Sequence, residues 1–242
     1  MDTRLTYLLT LLPPLPPLGE TPLLSLAEVL ILLRQQGGSD LELLAGLLAA
    51  ESPLQHALDE WIVNPPGSRV VPGALPPALR ALFDEELVAG VPEEVWVGVV
   101  RQTYLELLSE AGRRLGSDLL PRWSNWERSL RQELARLRAG RGDRDESGHE
   151  PQQQLDARLE VALAAWSAAR SRGQGVEELG AAMAAEAALD VARLAFLAGE
   201  TPRYSFAMDE LVAYLLQLRL LERHLRLDPL RGRALLKEVA AL

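Results

Sequence analysis

Residues 209–227 read DELVAYLLQLRLLERHLRL, and the spacing of their leucines decides the fold class. Leu211, Leu215, Leu218, Leu221 and Leu225 recur in steps of three and four, the period of one helix face. Val212, Leu216, Leu220 and Leu227 make a second stripe beside the first, which is more apolar surface than a helix with one buried side carries. Asp209 and Glu210 fall in the first turn and Arg223 and Arg226 in the last, where each sign complements the helix dipole. The segment is therefore expected to be a helix from about Ser205 to Leu227, either central in its fold or covered by a partner.

The same period runs through most of the 242 residues, and the alternation that marks strands is scarce. An all-α chain is expected, an array of antiparallel helical hairpins in two helical lobes. Leu5–Leu12 follows Arg4 and resembles a signal core, but Asp2 spoils the basic lead and Pro13, Pro14, Pro16 and Pro17 follow at once, so it reads as a folded first element. Ser25 and Glu28 form a capping-box pattern for a helix to Arg34, closed by Gly37 and Gly38. Asp40 then caps a helix from Leu41 to about Ala50, and Ser52-Pro53 opens another to about Val63. Further helices are expected from Pro77 to Val88 and from Pro92 to Leu115, with a strand as the competitor over Val95–Val100.

Ser117 or Asp118 starts the segment containing two of the chain's five tryptophans. Trp123, Trp126 or Glu127, Leu130, Leu134 and Leu137 form its apolar stripe, and Glu127 precedes Arg131 by one turn in the favourable order. Residues 122–144 hold seven arginines against Glu127, Glu133 and Asp143, a local balance of +4 in a chain of net charge −9. From Gly140 to Gln154 there is no apolar residue, so a polar loop is expected between an N-terminal lobe, 1–139, and a C-terminal lobe, 155–242, the two packing as one unit. Beyond the loop, Leu155, Leu159, Leu163 and Trp166 line one helix; Gly173 and Gly175 mark a turn; Val176, Leu179, Met183, Ala187, Val191 and Leu194 line the next. Asp228-Pro229 opens a last helix.

Composition excludes several chemistries. There is no cysteine, which removes disulfides, thiolate nucleophiles and cysteine metal sites. The single lysine, Lys237, follows Leu236 and not glycine, so no phosphate-binding loop is present. No apolar run reaches the ~20 residues of a spanning helix. The acidic balance disfavours a general nucleic-acid binder. His56, His149 and His224 show no metal-ligand spacing. Glu186 and Asp190, one turn apart with Arg193 nearby, are the single carboxylate pair that suggests acid–base chemistry, and they read more simply as a solvated helix face.

Three segments carry a resemblance. They are Tyr7–Pro13 with Ser25–Glu28, then Trp123–Arg138 with its Asn125-Trp126-Glu127-Arg128, then Tyr214–Leu218 through Leu221-Glu222-Arg223 and Leu227-Asp228. In order and spacing they resemble a bacterial family encoded beside V/A-type ATPase subunits, itself similar to the C subunit of these rotary ATPases, called d in eukaryotes. The resemblance implies a non-catalytic coupler, without cofactor, metal or small-molecule substrate, that joins the central-stalk subunits to the membrane c-ring and is peripheral to the membrane through that complex. It also implies a partner-contact surface at Arg128, Arg131, Arg136 and Arg138, with Tyr7, Trp123, Trp126, Leu218 and Leu221 as structural anchors. A cytoplasmic helical adaptor or assembly factor is the alternative, and a small helical enzyme acting through Glu186 and Asp190 the third reading.

Overall fold

The computed structural model describes residues 3–36, 38–64, 71–84, 90–138, 156–171, 178–200 and 204–226. They are helical, with no strand among them: α1 Thr3–Leu11, α2 Leu26–Gln36, α3 Ser39–Val63, α4 Pro77–Arg80 continued by a 3-10 turn Ala81–Phe83, α5 Glu93–Leu115, α6 Leu119–Arg138, α7 Ala157–Ser171, α8 Glu178–Glu200 and α9 Met208–Arg226. The all-α expectation holds, and Val95–Val100 is helix. The polar loop over 140–154, the glycine turn at 173 and 175, Lys237, His149 and the last helix from Asp228 lie outside the described residues.

Two helices expected around Ser52-Pro53 are one. Pro53 lies inside α3 and removes one intrahelical hydrogen bond, a defect of ~3 kcal/mol. Leu44, Leu47, Leu48, Leu54, Leu58 and Trp61 are all buried on the two sides of it, and their shared burial outweighs the defect. The start of α3 is capped by Gly38 at φ 121° and not by Asp40. Glycine alone tolerates that backbone at little cost.

The chain falls into two compact units. One is contiguous, Ala27–Asn125; the other is discontinuous, Met1–Leu26 with Trp126–Leu242. This grouping differs from the expected 1–139 and 155–242 lobes, because α1 packs on α9 and α6 contributes Trp126–Arg138 to the discontinuous unit.

In the contiguous unit α5 packs on α3 and α4. Trp61 stacks on Trp96 at 5.3 Å between ring centroids, and Phe83 sets its edge against both rings. The Trp96 indole donates to the Leu82 carbonyl at 2.7 Å, and the Tyr104 hydroxyl donates to the Leu47 carbonyl. At the far end of α5, a Cβ on Gly112 would lie 2.6 Å from Leu120 Cβ and 2.7 Å from Pro121 Cδ. Only glycine lets the chain reverse there through Gly116, at φ 66°, into α6.

In the discontinuous unit α7 and α8 form a hairpin, tied by an ion pair from Arg158 to Glu200. α9 packs on α8 and on α1, with Leu211, Val212, Ala213, Leu215, Leu216, Leu218, Leu220 and Leu221 all buried, so both of its apolar stripes are used. It begins at Met208, later than expected. Tyr204 and Phe206 hold positive φ, and the Glu210 carboxylate accepts their backbone N–H groups at 2.9 and 2.7 Å. The N-terminal end of α2 is fastened in the same way across 196 residues: the Leu26 N–H donates to Glu222 at 2.6 Å.

Candidate functional site

Charged residues of the discontinuous unit converge on one circuit whose centre, Glu127, Arg193 and Asp190, is buried. Glu127 follows Trp126 on α6 and is itself buried, where the alternating reading of that stripe allowed either residue. Arg193, on α8, is 6% exposed and grips it with two parallel bonds, Nε to Oε2 and Nη2 to Oε1, both 3.0 Å. This is the fork geometry that guanidinium makes with carboxylate. Its remaining nitrogen, Nη1, donates to Asp190 Oδ1 at 3.1 Å. The same Asp190 oxygen accepts from Arg223 Nη1 at 2.5 Å, and Arg223 Nη2 donates to Glu186 at 2.8 Å. Glu186 also lies 3.6 Å from Arg138, which returns the circuit to α6, while Arg131 donates to Glu127 at 2.8 Å. Seven alternating charges thus join α6, α8 and α9.

Apolar contacts frame the circuit. Trp126 stacks on Phe196 with centroids 4.8 Å apart. Arg138 and Arg170 both lie over the Trp166 ring, at 5.8 and 5.3 Å.

The electrostatics follow from this geometry. Burial opposes ionisation of Glu127, yet the charges of Arg193 and Arg131 and the bonds from Arg193 outweigh it, and the carboxyl is held down at about 2 against an ordinary 4.5. Burial likewise works against the charge of Arg193, and Glu127 and Asp190 more than offset it. Asp190 goes the other way: it is fully buried, and desolvation raises its carboxyl above the ordinary value despite Arg223 and Arg193. Its second oxygen, Oδ2, has no hydrogen-bond partner and lies 3.9 Å from His224 Nδ1, too far for a bond.

The depressed Glu127 carboxyl gives a pH prediction with a definite sign. Its stabilising contribution is complete above about pH 4.5 and is lost as pH falls towards 2. A carboxyl titration followed by carbon NMR is expected to show Glu127 still ionised at pH 3; a midpoint near 4.5 would remove the ion pair from the account.

The circuit corrects two expectations. Glu186 and Asp190 are brought together, but not on a solvated face: the Asp190 side chain is 0% exposed and that of Glu186 34%. The buried face of α8 is Ala181, Ala185, Leu189, Arg193 and Phe196, not the stripe through Met183, Ala187 and Val191, of which Val191 is 53% exposed. On α7 the buried line is Leu159, Ala162, Trp166 and Ala169, with Leu163 half-buried.

The expected contact arginines have partners inside the chain. Arg131 pairs with Glu127, Arg136 with Glu133 at 2.5 Å and Arg138 with Glu186; Arg128 is half-buried. Reversing the charge of Arg131 or Arg138 therefore strains the fold before it tests a partner. Of the expected anchors, Trp123, Trp126, Leu218 and Leu221 are buried, whereas Tyr7 is 53% exposed because Leu5 and Leu8 carry the buried face of α1. Leu137 is likewise 39% exposed.

Arg193 and its bond to Glu127 were not legible as a pair. The signal available was Asp190 three residues before Arg193 on a helix whose alanine face is as apolar as its valine face. Among the described residues no group of histidines and carboxylates could hold a metal ion, and no helix is long and apolar enough to cross a membrane. No family model matches the chain, and neither the curated proteins nor the solved structures compared with it give a match.

Proposed function

We propose that the chain is a non-catalytic helical subunit or accessory of a bacterial V/A-type rotary ATPase, coupling the central rotor shaft to the membrane c-ring and peripheral to the membrane through that complex. One observation carries this reading. The three segments that resemble the ATPase-associated family are far apart in sequence, yet the greater part of each belongs to the same compact unit, Met1–Leu26 with Trp126–Leu242. The first and third are fastened by the bond from Leu26 to Glu222, and the second and third meet the same residues of α8 through Arg138, Arg223 and Glu186. A coupler must carry load between partners without deforming, and a charged circuit spanning three helices around a buried centre is suited to that. The same circuit disfavours the enzyme reading, since Glu186 and Asp190 are engaged by guanidinium groups.

Affinity purification of the tagged protein from gently solubilised native membranes tests the proposal. Shaft and ring subunits are expected in stoichiometric amounts. Their absence overturns it and leaves the second reading, a helical adaptor or assembly factor, which the exposed apolar face of α5 favours.

A further inference from the structure

One face of the first half of α5 carries apolar residues that the described residues leave exposed. Val95 and Val99 are 55% and 47% exposed and lie one turn apart on a face about 100° round the helix from Trp96 and Val100, which are buried; Val91, just before the helix, is 38% exposed. Valine is a poor helix former, and on a solvated face nothing compensates for it. Gly98 lies between the two valines, and a Cβ there would meet no atom within 4 Å. Among the described residues neither a turn nor a close approach explains this glycine, although glycine is costly inside a helix. Gln102 and Glu106 continue the stripe one and two turns on. At the end of α3 that the Trp61–Trp96 stack holds beside the start of α5, Ile62 and Val63 are 45% and 79% exposed.

An apolar ridge with a notch between its knobs is the surface a second helix packs against: valines interdigitate with its side chains and glycine admits its closest residue. The charge around the ridge selects the partner. Residues 27–125 hold seven arginines against fourteen carboxylates, a balance of −7 of the whole chain's −9. Glu93, Glu94 and Glu106 are exposed on α5 and Asp59 on α3, and Arg101 is the one cation between Glu93 and Glu110.

We infer that the Val95–Gly98–Val99 face of α5 is a docking site for an amphipathic helix of a partner protein, one with an apolar stripe flanked by lysine or arginine. This stands independently of the rotary-ATPase reading, because it rests on the contiguous unit alone.

The test uses the full chain and a synthetic helical peptide of about three heptads, leucine at the seam and lysine on both flanks. The lysine peptide is expected to bind and its glutamate-flanked counterpart not to. Val95→Gln with Val99→Gln, or Gly98→Leu, is expected to weaken binding at least about tenfold with unchanged circular dichroism, and raising salt to weaken it further. Absence of binding overturns the inference, as does equal affinity for the wild-type chain and both variants. So does a wild-type dimer in sedimentation that the double glutamine variant splits, since the occupant would then be a second copy of this chain.

Discussion

Arg193→Ala is expected to cost about 3–5 kcal/mol, because it leaves Glu127 and Asp190 buried with a guanidinium removed from each. That is a large part of the ~5–15 kcal/mol by which a domain is stable, so the variant should unfold at much lower urea or fail to accumulate. The loss belongs to the stranded charge more than to the bond. Glu127→Leu combined with Arg193→Met removes both partners, while Asp190 keeps Arg223 and the 38%-exposed Arg131 side chain turns to water. This double variant should recover most of the stability, as buried ion pairs replaced by apolar groups of similar volume commonly do. A loss below about 1 kcal/mol for Arg193→Ala in equilibrium urea unfolding would mean that the circuit is not closed in solution.

Trp123→Ala is the second large effect, expected at about 3–5 kcal/mol from lost burial and the cavity left behind. The side chain is 1% exposed and is the largest of the fully buried ones among the described residues. Tyr7→Ala is its control: Tyr7 was expected to be an anchor on equal terms, but at 53% exposure its truncation should stay within about 0.5 kcal/mol. Urea midpoints for the two variants, at unchanged slope, separate them directly.

Periodicity made the helices legible but left their orientation and joints undetermined. The double stripe of α9 identified a helix buried nearly all round, because leucine, valine or alanine at eight of the eleven positions 211–221 leaves little room for a polar face. In α8 the same method chose the wrong side. Alanine, valine and leucine are distributed around that helix, so several faces look apolar, and the one selected by packing is the narrow alanine face that also carries Arg193. At Pro53 a local rule was overridden by burial on both sides, information that lies in α5 and not in the neighbouring sequence. Glu186 and Asp190 were found as a pair, but their environment depends on Arg138 and Arg223, which are 48 and 33 residues or more away along the chain. Long-range pairing of this kind has no local signature.

The discontinuity of the second unit sets an order of events during synthesis. Ala27–Asn125 is contiguous, so its whole sequence has left the ribosome once its last residue has. The N-terminal helix must wait for α9, whose Glu222 lies 196 residues after Leu26. At ~5–20 residues per second that delay is roughly 10–40 s. For that interval α1, with Leu5 and Leu8 on its buried face, lacks the α9 surface it packs on, which makes it a segment for a chaperone to cover.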